Sequence, residues 1–158
     1  MEYMEKYLQF GKYTADCPAW LIEQARAAQI DHGRSGVMAV LDVIKQEFNP
    51  AEHMVSTTNN FAASRFTTVP AIMAKRQRSC GSLASVVAAV LRNLGIPTKL
   101  IDGKFVKRDP RMRHAWVEVY LDQVWVPFDI MQKEYALTPY HVKRGEYLDW
   151  EELENSTK

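Results

Sequence analysis

At 158 residues the chain is long enough for one domain with a real hydrophobic core. Its 47% hydrophobic and 25% charged content, with a formal net charge of +1, fits an ordinary globular protein. The longest uncharged apolar run near the middle, Leu83 to Leu91, is too short to span a bilayer, and two cysteines cannot build a disulfide framework.

The opening MEYMEKYLQF carries acids and aromatics where an export signal needs a basic region and an apolar block. With so few cysteines, the expectation is a reducing compartment, the cytoplasm. Tyr3 to Asp16 reads as a mixed aromatic and polar lead-in. Pro18 suits the first position of a helix, with Asp16 or Cys17 as its cap. That helix runs to about Ile30, with Trp20, Leu21, Ala25 and Ala28 among its apolar positions. Gly33 breaks it. Ser35 can cap a second helix in which Val37, Val40, Leu41, Ile44 and Phe48 repeat at helical spacing, closed by Asn49-Pro50.

From Ala51 to Gln77 the chain is rich in Ser, Thr and Asn. It reads as a long loop with one short strand near Phe66 to Val69. Such a loop is either a substrate-binding segment or an irregular connection. A third helix follows, opened by Cys80. Its Leu83, Val86, Val87, Val90, Leu91 and Leu94 fall on a 3.6-residue period. Gly95 suits its end and Pro97 prevents a restart. Lys99 to Phe105 then reads as a strand, followed by a basic turn through Asp109-Pro110.

From His114 the period becomes two. His114, Trp116, Glu118 and Tyr120 point one way, and Ala115, Val117, Val119 and Leu121 the other. A hairpin closing at Asp122-Gln123 pairs Leu121 with Val124, Val119 with Val126, Val117 with Phe128 and Ala115 with Ile130, all apolar. A one-residue slip would bury Glu118 and Asp129, so the register is strongly constrained. Asp-Gln is a weak two-residue turn signal, but a longer symmetric loop keeps the same pairing. The face holding Trp116, Trp125 and Tyr120 is either a second packed layer or a cleft wall. The acidic end, YLDWEELENSTK, reads as a short helix or a solvated tail.

Charge is unevenly spread. Lys75 to Arg113 carries +8, and the remainder −7. The plain reading is a set of solvated loop charges. The sharper one is a positive field around Cys80, favouring its thiolate and acidic substrates. Aromatics do not interleave with these bases as a nucleic-acid stacking platform requires.

The hairpin register carries chemistry. It sets Asp129 opposite Trp116 and diagonal to His114, roughly 7–8 Å apart along the backbone, within side-chain reach. The carboxylate then accepts from one ring nitrogen of His114 and leaves the other free for a proton. Cys80 sits at a helix N-terminus, where unpaired N–H groups favour a thiolate. If that helix meets the hairpin, Cys80, His114 and Asp129 form a nucleophile, a base and its orienter, acting through a thioester. The Cys80 N–H is one oxyanion donor; Gln77, Asn59, Asn60 and Trp20 compete for the second. Taken singly, each residue has a structural reading: a small buried Cys, a satisfied strand His, an Asp at a strand end. Cys17 reads as structural. His32, His53 and His141 show no partner pattern. A zinc site from Cys80, His114 and Asp129 with Cys17 or His141 lacks any close Cys-x-x-Cys or His-x-x-x-His pair.

Cys80 with Ala84, Leu91-Arg92-Asn93-Leu94-Gly95-Ile96-Pro97, Asp102-Gly103, His114-Ala115-Trp116-Val117-Glu118-Val119 and Trp125-Val126-Pro127-Phe128-Asp129 resemble the transglutaminase-like core, a papain-like superfamily of cysteine transferases and hydrolases. The resemblance implies Cys80 as nucleophile, His114 as base and Asp129 as orienting carboxylate. It implies no cofactor for the chemistry itself. Some eukaryotic members use calcium, but no acidic loop here resembles a calcium site.

The expectation is a single α+β domain over residues 1–158 with a papain-like layout, in which N-terminal helices and the nucleophile helix pack on an antiparallel sheet. The expected function is cysteine-dependent hydrolysis or transfer of an amide acyl group, with hydrolysis favoured. The substrate would be a peptide or protein amide, acidic on the sharper reading of the charge, with no nucleic acid or membrane partner. The competing class is a non-enzymatic peptide-binding module that keeps the fold.

Overall fold

The structure, a computed structural model, describes residues 2–49 and 60–157. After a short α1 (Glu2–Lys6), α2 (Ala19–Ala28) and α3 (Arg34–Phe48) pack on each other and on α6 (Cys80–Asn93). The sheet orders β3 (Val124–Phe128), β2 (Arg113–Leu121), β1 (Thr98–Phe105) and β4 (His141–Tyr147), antiparallel throughout. It matches the expected α+β layout of helices against an antiparallel sheet.

Helix α6 is the centre of the core. Gly81 to Arg92 is buried without interruption. It packs against β1, β2, α2 and α3, and its small residues Gly81, Ser82, Ser85, Ala88 and Ala89 are buried along with its apolar stripe. Gly95 (φ 82) ends it as expected. Ile96 N–H reaches Leu91 O at 2.9 Å and Gly95 N–H reaches Arg92 O at 3.0 Å, a Schellman closure that only the left-handed residue permits.

The hairpin register is the one that the alternation demands: Val117 opposite Phe128, Val119 opposite Val126, Leu121 opposite Val124. The turn is the two-residue Asp122-Gln123 itself. Both residues have positive φ, 48° and 69°, the mirror-image turn whose twist matches the strands.

Several expectations change. The stretch read as loop and strand before Cys80 holds two short helices, α4 (Phe61–Arg65) and α5 (Val69–Lys75). The polar residues that suggested a loop are helix caps: Asn60 Oδ1 accepts from the N–H groups of Ala62 and Ala63, and Thr68 Oγ1 from Ala71 N–H. Helix α3 is opened by Asp31, whose Oδ1 accepts from Gly33 and Gly36 N–H, rather than by Ser35. Trp20 is 46% exposed and Ile30 74%, since α2 buries only Leu21 and Ala25. The acidic end forms α7 (Trp150–Ser156), with Asp149 and Glu152 in a capping box. Trp150 is fully buried. Strand β4, absent from the sequence reading, is sparsely apolar because it is an edge strand. No helix among the described residues is long and apolar enough to cross a membrane.

Candidate active site

Cys80 is the first residue of α6, and its N–H is one that the helix itself cannot pair. The turn it opens is held on α4 through Ser64, whose Oγ accepts from Gly81 N–H at 3.1 Å and whose carbonyl accepts from Ser82 Oγ at 2.8 Å. Trp150 Nε1 donates to Gly81 O at 3.1 Å, so the buried start of α7 packs on the same turn. A Cβ at position 81 would stand 2.7 Å from Ser64 Oγ and 2.8 Å from Arg65 Cγ. Glycine is therefore required beside Cys80 for this close approach.

Helix α6 packs against β2, which sets the Cys80 thiol close enough to the His114 ring and to Ala115 N–H for both to stabilise its thiolate. His114 Nε2 lies 2.6 Å from Asp129 Oδ2, so its Nδ1 is the nitrogen left for sulfur. The three sequence-predicted residues are brought together in the expected order. Asp129, wholly buried, also accepts at Oδ1 from Met131 N–H at 2.9 Å. A backbone ring supports it: Asp129 N–H reaches Tyr135 O and Gln132 N–H reaches Asp129 O. Tyr135 then hydrogen-bonds Asp42 on α3.

The charges respond. Burial pushes the Cys80 thiol up, but the His114 hydrogen bond and charge, the Arg65 charge and Ala115 N–H outweigh it and bring the thiol down to about 7. Burial works against the His114 cation as well, yet the Asp129 carboxylate and the sulfur raise it to about 10. Asp129, penalised by burial, is held at about 2 by His114, His141 and Met131 N–H. Cys17 has no such partners, and burial alone raises it to about 11.

The positive field has a different source from the one expected. Beside the His114 charge, the cation that acts on Cys80 is Arg65, upstream of the basic stretch and 2% exposed. Arg65 Nε donates to Asp102 Oδ1 at 3.0 Å. Its Nη2 stands 3.0 Å from the same oxygen as an ion pair without a directional hydrogen bond. Arg113 joins at Asp102 Oδ2, 2.5 Å away, and both guanidinium groups lie over the Phe61 ring. Arg92 and Lys99 are buried in structural roles. Trp116, 3% exposed, belongs to a packed layer rather than a cleft wall.

His141, which the sequence left without a partner, is the residue that reading missed. Its Nε2 lies 2.7 Å from Asp129 Oδ2, the same oxygen that takes His114. Its Nδ1 accepts from Thr138 N–H at 2.9 Å. A backbone N–H can only donate, so the ring is the Nε2–H tautomer. The signal lay in Thr-Pro-Tyr-His, a turn with an ST-type hydroxyl, but nothing in it pointed to Asp129.

His114, Asp129 and His141 set three ligand atoms within 4.8 Å of one another. A metal would need bare lone pairs at both Nε2 atoms. At His141 the Thr138 N–H keeps the proton on Nε2, so this donor set fits a hydrogen-bonded cluster and not a metal centre. Of the suggested second oxyanion donors, Gln77 gives one amide hydrogen to Ala63 O at 2.5 Å, Asn60 caps α4 and Trp20 stands exposed on α2. Asn59, like His53, lies outside the described residues.

Comparison with known proteins agrees with this geometry at the level of fold. A candidate cysteine protease from Cytophaga hutchinsonii is similar to the chain, with a TM-score of 0.72 and 24% identity over 96% of this chain and 49% of that one. A TGase gives a TM-score of 0.54 and 20% identity over 80% of this chain and 32% of that one. The chain thus spans about half the length of the first and a third of the second. No curated protein matches. A model of the transglutaminase-like superfamily matches residues 24–130, well over half of the sequence, and with the papain-like arrangement of helix and sheet around Cys80 it leads to one conclusion: the chain belongs to the transglutaminase-like superfamily.

Proposed function

We propose that the protein is a cysteine-dependent amide acyl hydrolase whose catalytic triad is Cys80, His114 and Asp129. The observation that carries this reading is the 2.6 Å contact of His114 Nε2 with Asp129 Oδ2, made by a ring close enough to the Cys80 thiol to favour its thiolate. The Cys80 thiolate attacks the amide carbon, and the carbonyl π pair moves to oxygen beside the Cys80 N–H. Collapse breaks the C–N bond, and the His114 imidazolium gives its proton to the leaving amine. The acyl group remains on sulfur as a thioester. Neutral His114 then takes a proton from water, whose oxygen attacks the thioester and releases a carboxylic acid and the thiolate. An amine in place of water gives acyl transfer by the same steps.

The substrate class we propose is a peptide or protein amide with acidic character. Lys104, Lys107, Arg108 and Arg111 lie at the end of β1 and in the turn before β2 against the single acid Asp109, and all but Lys104 and Asp109 are well exposed. A thiolate nucleophile also suits a reducing compartment such as the cytoplasm.

Thiol alkylation across pH tests the reading without a known substrate. At pH 6–7, iodoacetamide should label Cys80 at least tenfold faster than Cys17, as mass spectrometry of the peptides reports. His114→Ala should abolish the advantage. Two equally sluggish thiols would support a binding module that keeps the fold without the chemistry.

A further inference from the structure

We infer that His141 is a positioning residue: its Nε2–H locks the Asp129 carboxylate, and through it sets the orientation of the His114 ring that faces Cys80. The inference rests on the triad reading above and extends it to a fourth side chain.

Asp129 alone is a poor orienter. A carboxylate can turn about its terminal bond, and among the described residues its Oδ1 is tied only to Met131 N–H, two residues along its own backbone. A second donor on Oδ2, coming from a different strand, defines the plane in which that oxygen sits. His141 supplies it from β4, while His114 reaches the same oxygen from β2. The His141 side chain is only 1% exposed, and three rings fix its own plane. Trp116 and Phe105 each stand with ring centroids 5.1 Å away and nearly perpendicular, and His114 stands 5.6 Å away. Thr138 N–H and Oγ1 hold the far nitrogen at 2.9 and 3.0 Å. A merely structural donor would need none of this framing. A buried imidazole costs desolvation, and a hydroxyl would satisfy a spare lone pair as well.

The charged and titratable groups around this ring are few. Asp129 follows β3 and His114 lies on β2. Cys80 on α6 is reached through His114. Phe105 on β1 and Trp116 on β2 complete the wall with rings.

The test uses the whole chain and three variants. His141→Phe keeps a ring in the aromatic frame but cannot donate. His141→Gln keeps an amide N–H within reach of Asp129. The rate of Cys80 alkylation by iodoacetamide is followed from pH 5 to 11 in each. In His141→Phe the rate at pH 7 should fall at least tenfold, and the ionisation midpoint should move from about 7 toward the ordinary thiol range. His141→Gln should stay within about threefold of the parent. An unchanged midpoint in a folded His141→Phe overturns the inference and leaves His141 as packing. His114→Ala separates the two readings: if it too leaves the midpoint unmoved, the triad reading itself has failed. Imidazole nitrogen NMR of the unaltered chain is the measurement that survives a variant's failure to fold. The His141 ring should show hydrogen on Nε2 and a lone pair on Nδ1, and the opposite tautomer would overturn the inference.

Discussion

Asp129 accepts three hydrogen bonds with two oxygens, and an amide cannot imitate that. In Asp129→Asn either the histidine pair or Met131 N–H would face an NH2 group, donor against donor. One unpaired buried group costs about 1–3 kcal/mol, which denaturant titration should register. The thiolate should then form at a pH above the present value of about 7, nearer the usual thiol range. The pH dependence of the parent follows from the same cluster. Reactivity requiring both thiolate and imidazolium should rise as Cys80 ionises near 7 and fall as His114 loses its proton near 10. For stability, the carboxylate's folded value near 2 lies below its ordinary 3.8. Its contribution is therefore present above about 3.8 and disappears as the pH falls toward 2. An acid-unfolding midpoint insensitive to Asp129→Asn would contradict this. At this scale the sequence was half legible. The period-two register sets Asp129 beside His114, because a strand has only two faces. His141 was illegible, since its partner lies across the sheet and no spacing records that.

Among the elements, the turn that opens α6 is tightly built around Gly81. Substituting Gly81→Ala would force a methyl into Ser64 and Arg65 and cost about 1–3 kcal/mol as overpacking. Because the Arg65 charge helps to hold the Cys80 thiol down, the same change should slow Cys80 alkylation at pH 7, whereas an overpacked site remote from Cys80 would lower stability alone. The long elements were readable in the sequence: α3 and α6 from their 3.6-residue stripes, the hairpin from its alternation. The short ones were not. Helices α4 and α5 span five and seven residues, too few for a period to emerge, and their capping Asn60 and Thr68 look the same as loop residues in a sequence. Strand β4 carries bases and a glycine where β2 carries apolar residues.

For the molecule as a whole, Arg92 ties together segments far apart in the chain. Its guanidinium donates to Thr98 O on β1, to Gln9 O near the N-terminal helix and to Leu148 O ahead of α7. Replacing it with Met fills the volume but strands three carbonyls, and unfolding by denaturant should show a loss of more than about 3 kcal/mol. Alkylation of Cys80 in the surviving folded fraction should be unaltered, because Arg92 lies at the opposite end of α6 from the sulfur. Counted from the sequence, Arg92 was part of a basic field; only burial reveals it as a strut.

The sheet order has a consequence for motion. His114 rides on β2, which pairs with β1 and, from Val117 to Leu121, also with β3, while His141 rides on β4, which pairs with β1 alone among the described strands. Backbone amides of an outer strand exchange with solvent through small local openings, whereas those of an inner strand wait for larger ones. In deuterated water the β4 amides should therefore lose protection well before those of β2. The anchor on Asp129 would then come and go on its own clock while the strand that holds His114 stays in place. A cysteine thus clothed would spend part of its time with a looser relay, a graded reactivity written into the breathing of one strand.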